Sequence, residues 1–283
     1  MKRRELQAQR VVPQIGKSIL RASLGTPPSL RATPSINRGG VADITPSYDV
    51  VKKTMKWIDD LKELLFPRYC KVCRRRLTHS EQHLCVSCLM ELPRTHYERI
   101  PDNLLMQHFM EWPEVMATTA HFYYYKEGRY SNLIHHLKYY DHPEVGTYLG
   151  RLAATELQTC EFFKGIDLIV PVPLSKKKQR KRGYNQCDYI ARGIGQIIGV
   201  DVHTRCIKRA VDTDTQTHKS RMERWKNTED IFQITDATAL SGKHILIVDD
   251  VATTGATLHA CVSAILTVPN VRVSIFALTK TAE

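Results

Sequence analysis

The stretch Lys243-His244-Ile245-Leu246-Ile247-Val248-Asp249-Asp250 constrains the fold of this chain more than any other. Four successive aliphatic residues, Ile245 to Val248, leave no polar face for solvent, so a strand here must be covered on both sides. Strands of that kind belong to parallel sheets with helices above and below. Two further apolar runs, Asp167 to Val172 and Val271 to Leu278, read the same way, and Thr118 to Tyr125 reads as a strand of β-branched and aromatic residues. Helical patterns fall between them, near Ser131–Tyr139, Val145–Leu157, Asn185–Ile198 and Thr257–Leu266. The expected fold class is α/β, a mainly parallel sheet flanked by helices.

The central run ends in two carboxylates and continues Val251-Ala252-Thr253-Thr254-Gly255-Ala256-Thr257 into a helix. N–H groups of such a loop and the positive end of the helix suit a phosphate monoester. Thr253, Thr254 and Thr257 add hydroxyl donors, and Gly255 with Ala256 lets the backbone approach the oxygens closely. Asp249 and Asp250 would repel that anion unless they face the vicinal hydroxyls of a sugar whose phosphate lies further along the loop. Carboxylates so placed also favour positive charge developing on the ring. Taken singly the pieces are weak: an Asp-Asp pair at a strand end also occurs in receiver domains and Mg2+ sites, and a Thr-Thr-Gly turn can be a plain helix cap. No G-x4-G-K-[ST] occurs, so this is not a nucleoside triphosphate loop.

After Pro171-Val172-Pro173-Leu174-Ser175 comes a basic run, Lys176 to Arg182, then Gly183-Tyr184-Asn185-Gln186. It is expected to form a loop at the carboxyl end of a parallel strand, where ligands bind in open α/β sheets. Arg182, Gly183, Tyr184 and Asn185 are candidates for holding a diphosphate with Mg2+ bridging it. The alternatives are a solvated charge run or a nucleic-acid patch with Tyr184 as a stacking residue. The long polar segment Thr213–Asn227 is expected to be a lid carrying Arg221 over the reacting carbon, or else an ordinary exposed hairpin.

Nearer the start, Cys70-x2-Cys73 and Cys85-x2-Cys88 form two knuckles eleven residues apart. Two such loops complete a tetrahedron around Zn2+, and four thiolates leave no open position, so the metal is expected to be structural. Arg74, Arg75 and Arg76 would offset the charge of the site, and His79 and His83 are read as surface residues. A redox pair or four core cysteines is the alternative.

The net charge of +12 is concentrated at the front, where residues 1–42 carry eight basic side chains against Glu5 alone. Residues 1–54 read as a basic, disordered tail or an over-extended gene start, with an organelle transit peptide as the alternative. Residues 55–66 show helical spacing of Met55, Ile58, Leu61, Leu64 and Leu65, residues 67–95 hold the cysteine module, and 115–283 the sheet. No apolar run approaches the roughly 18 residues of a membrane span. Unpaired cysteines and the lack of a signal-peptide pattern make a reducing, cytoplasmic setting the default.

The ordered set resembles the ComF family, competence-type phosphoribosyltransferase-like proteins. It comprises Leu65-Phe66-Pro67 with the two knuckles, Tyr125, Leu137-Lys138-Tyr139, Pro171-Val172-Pro173-Leu174, Arg182 to Gln186, Thr217, Arg221, Asn227 and Asp249 to Thr257. The resemblance spans about residues 55–283. Tyr184 stands where the family usually has Phe, and Ala252 where many relatives have an aromatic. It implies a type I phosphoribosyltransferase-like sheet behind a small N-terminal four-cysteine zinc module. Asp249 and Asp250 would bind the ribose hydroxyls, and Thr253 to Thr257 the 5-phosphate, of phosphoribosyl diphosphate (PRPP). Catalysis would fall to Asp249, Asp250 and Arg221, with Mg2+ accompanying PRPP. The family link implies a role in DNA uptake with a helicase-like partner, either as an enzyme or as a non-catalytic nucleotide-sensing or single-stranded-DNA-binding adaptor.

Overall fold

Within the unit spanning Met55–Glu283, the computed structural model describes residues 65–139, 142–210 and 231–282. The expectations for the tail, for most of the 55–66 helix and for the lid with Thr217, Arg221 and Asn227 lie outside the described residues.

Four parallel strands make the main sheet: β1 (Val115–Tyr124), β2 (Leu168–Pro171), β5 (His244–Ala252) and β6 (Arg272–Thr281), in the order β1-β6-β5-β2. A two-stranded antiparallel ribbon joins β3 (Ile207–Arg209) to β4 (Phe232–Ile234). Leu246 and Val248 of β5 enter one core cluster, while Ile245 and Ile247 enter the other. That alternation, buried on both faces, explains why the run is uninterrupted in sequence.

On one face lie α2 (Ser131–Tyr139), α3 (Pro143–Leu157) and α5 (Gln186–Ile198). On the other lies α6 (Ala256–Leu266), packed with Leu105, Phe109 and the β3–β4 ribbon. Helices α3 and α5 approach very closely at two glycines. A Cβ on Gly150 would come within 2.2 Å of the Ile190 carbonyl oxygen, and one on Gly193 within 2.2 Å of that of Thr147.

Two expectations need correction. The basic run is not a loop but a helix, α4 (Lys176–Arg182). Ser175 accepts a hydrogen bond from the Lys178 N–H at its start, and Gly183, at φ +78°, closes its end. Lys, Arg and Gln are good helix formers, and these caps outweigh the repulsion of like charges. The central strand also does not stop at the acid pair. It continues through Val251 and Ala252, because β6 extends beside it and pairs Val251 with Thr279 and Ala252 with Lys280.

The cysteine module precedes the sheet and contains α1 (Val86–Met90). It has no separate interior: Cys70, Leu84, Cys85, Cys88 and Leu92 share one hydrophobic cluster with α2 and α3. Among the described residues no helix is long and apolar enough to cross a membrane.

Candidate functional site

The acid pair sits in the last part of β5, almost closed to solvent: Asp249 is 8% exposed and Asp250 7%. Asp249 Oδ1 accepts the Asp250 N–H at 2.9 Å and the Cys187 thiol at 3.5 Å. Burial, followed by the neighbouring charge of Asp250, pushes the Asp249 carboxyl well above the usual range. Asp250 Oδ2 is held from two sides, by Lys138 Nζ at 2.9 Å from α2 and by Gln186 Nε2 at 2.8 Å from the start of α5. Its backbone carbonyl accepts the Thr279 hydroxyl at 3.1 Å.

Immediately downstream, Thr253 and Thr254 are exposed, Gly255 turns the chain at φ +75°, and α6 begins. No side chain caps that helix. Among the described residues the N–H groups of Thr254, Gly255, Ala256 and Thr257 have no acceptor. Four donors at a helix start, next to exposed threonines, are an arrangement that suits an anion. A cavity of about 330 Å³ is walled by Asp250 and Thr253 together with Lys138, Tyr124 and Tyr139.

Arg182 reaches this neighbourhood indirectly, its guanidinium 5.3 Å from the centre of the Tyr139 ring. Gly183 serves as the end of α4. Tyr184 is buried and donates its hydroxyl to the Leu137 carbonyl at 2.7 Å, so it ties α2 to the α4–α5 junction. Asn185 caps α5 through the Cys187 N–H and donates to the Val172 carbonyl at 3.1 Å. The structure thus places Asp249, Asp250 and Thr253 to Thr257 in one continuous strand–loop–helix segment, with Arg182 over the Tyr139 ring, and employs Tyr184 and Asn185 in the fold. Arg221 lies outside the described residues. Lys138, Gln186, Cys187 and Lys280 were not singled out as site residues, yet all touch this group.

In the cysteine module the four sulfurs of Cys70, Cys73, Cys85 and Cys88 lie within 4.8 Å of one another, with Cys73 and Cys85 3.6 Å apart. Bonds of about 2.3 Å to zinc place tetrahedral sulfurs roughly 3.8 Å apart, so the set fits a thiophilic ion such as zinc. Arg74 turns the first knuckle with a positive φ of 63°. Glu81 braces the module, accepting the N–H groups of Thr78 and Val86, each at 2.8 Å, and the Arg75 guanidinium at 3.0 Å. Of the Arg74–Arg76 run, Arg75 carries its charge close to Cys85, and a residue outside the module, Arg129, donates to Cys88 Sγ at 3.2 Å. His83 is half-buried, its ring edge-on to Tyr148.

Residues 190–280 match the family described as a phosphoribosyl transferase domain. The chain is similar to the DNA utilization protein YhgH of Escherichia coli K12, 29% identical over 215 residues that cover 75% of this chain and 90% of that protein. It is also similar to competence protein F of Haemophilus influenzae, 27% identical over 69% of this chain and 76% of the relative. A crystal structure of adenine phosphoribosyltransferase aligns at 19% identity with a TM-score of 0.32, covering 49% of this chain and 71% of that one.

Proposed function

We propose that this chain, a ComF-family protein with a type I phosphoribosyltransferase fold, binds PRPP or a related ribose phosphate beside β5 and transfers its 5-phosphoribosyl group. The observation that carries the reading is one juxtaposition: a buried acid pair followed within seven residues by four partnerless N–H groups. A ribose presenting its 2- and 3-hydroxyls to Asp249 and Asp250 reaches those donors with its 5-phosphate. As the bond from C1 to the diphosphate oxygen lengthens, positive charge grows on the ring, and the two carboxylates stabilise it. Lys138 and Gln186 hold the Asp250 carboxylate in place, so little reorganisation accompanies that step. Arg182, with the positive face of α4, takes the departing diphosphate, and Arg221 is assigned to the lid that excludes water. Mg2+, when bound with PRPP, neutralises the diphosphate oxygens. Zinc in the four-cysteine set would be purely structural, and its thiolates fit a reducing cytoplasm.

Calorimetry with PRPP and Mg2+, competed by ribose 5-phosphate, tests the binding. Absence of heat with both ligands ends the reading. Turnover is tested by Mg2+-dependent release of diphosphate across a panel of nitrogenous bases, which Asp250→Asn should abolish.

A second reading is favoured by the exposed cationic surface of α4, where Lys176, Lys177, Arg180 and Lys181 face solvent. The relatives' names refer to DNA utilization and competence. In this reading the ribose-phosphate site senses a ligand while the basic helix grips single-stranded DNA beside a helicase-like partner. PRPP binding without turnover on any base, together with DNA affinity that falls steeply with salt, would favour it.

A further inference from the structure

Lys280 lies near the end of β6, level with Ala252 of β5 and only 6% exposed. Its ammonium group donates to two backbone carbonyls, Thr253 O at 3.1 Å and Thr281 O at 3.3 Å. Among the described residues no carboxylate pairs with it. A buried charge satisfied only by neutral dipoles is costly, and a buried lysine ordinarily finds an acid. Two acids lie in the neighbouring strand β5, but Asp250 is engaged by Lys138 and Gln186, and Asp249 by Cys187 and the Asp250 N–H. The positive charge under the loop is therefore left without a counter-ion of its own.

The bond to Thr253 O also sets the loop's geometry. In a trans peptide the carbonyl of one residue and the N–H of the next point in opposite directions. With the Thr253 carbonyl drawn onto Lys280, the Thr254 N–H faces the other way, and like those of Gly255, Ala256 and Thr257 it has no acceptor among the described residues.

We propose that Lys280 is a positioning residue and the resident counter-charge of the phosphate loop. It orients the Thr253–Thr254 peptide, and its charge is balanced when a phosphate monoester binds. The assignment rests on the ribose-phosphate reading above and adds a residue from a different strand to it.

The test uses the full chain with Lys280→Met and Lys280→Gln, and ribose 5-phosphate as the probe. Lys280→Gln keeps a donor to the Thr253 carbonyl without the charge, whereas Lys280→Met loses both. Affinity by calorimetry should fall at least tenfold in Lys280→Gln and further in Lys280→Met. The Thr254 amide resonance should move in Lys280→Met and stay near its wild-type position in Lys280→Gln. Either variant binding within twofold of wild type overturns the proposal. Should Lys280→Met not fold, Lys280→Gln decides the question alone. If the wild-type protein takes up no ribose 5-phosphate, the ribose-phosphate reading fails; the peptide-orienting role is then judged by the Thr254 amide, and an unmoved resonance in Lys280→Met overturns that too.

Discussion

Asp249 shows how the site stores cost in the ligand-free protein. Its carboxyl titrates far above that of an unfolded chain because it is buried beside a second acid. A carboxyl with a raised folded-state value binds protons that the unfolded chain has already released, so stability falls as pH climbs from about 4 toward 7. Asp249→Asn is therefore expected to stabilise the free protein at pH 7.5 by on the order of 2 kcal/mol, with the gain vanishing as pH falls toward 4. Thermal melts of both proteins across that range check this, and the same variant should lose ribose 5-phosphate binding. Lys138→Met should act oppositely on the free protein, since it strips Asp250 of its ion pair at 2.9 Å. Breaking a buried pair from one side costs roughly 3–5 kcal/mol, and with Lys138 20% exposed the lower end is expected. The acids and threonines were readable from the sequence because strand, loop and helix start are contiguous. Gln186 and Cys187 were not, because they meet Asp250 and Asp249 from 64 and 62 residues away, and no spacing rule connects them.

At the scale of elements, the parallel strands and their covering helices were legible because apolar periodicity reports burial directly. The basic segment before Gly183 was misread because seven residues with six positive charges suggest an extended, solvated run. The caps decided otherwise, and Ser175 and Gly183 were both visible in the sequence. Ser175→Ala should cost about 1 kcal/mol of stability through loss of the Lys178 N–H acceptor. If α4 carries diphosphate contacts, the same change should weaken PRPP more than ribose 5-phosphate. The α3–α5 crossing depends on absent side chains rather than present ones. Gly193→Ala would force a methyl against the Thr147 carbonyl at 2.2 Å. Backbone displacement of that kind costs roughly 1–3 kcal/mol or more, and circular dichroism melts should show it while Gly199→Ala, at φ +73° with open space around it, reports only local strain.

For the molecule as a whole, the cysteine module and the sheet behave as one cooperative body. The knuckles share their apolar cluster with α2 and α3, and Arg94 clamps Glu156 of α3 through two nitrogens at 2.7 and 2.6 Å. If zinc fills the four-cysteine set, a chelator should therefore lower a single thermal transition instead of producing a separate early one, which calorimetry would resolve. Arg129→Ala should ease metal release without touching a ligand, since it removes the donor to Cys88 Sγ. The order of the strands carries a different consequence. Residues 272–281 fill the slot between β1 and β5, so neither of those has its inner neighbour until β6, later in the chain than both, has been made. During synthesis the inner edge of β1 therefore stays bare while β2 to β5 are made, and that of β5 only until β6 follows it. Chaperone demand should accordingly track translation speed through the codons between β5 and β6 rather than through those of the cysteine module.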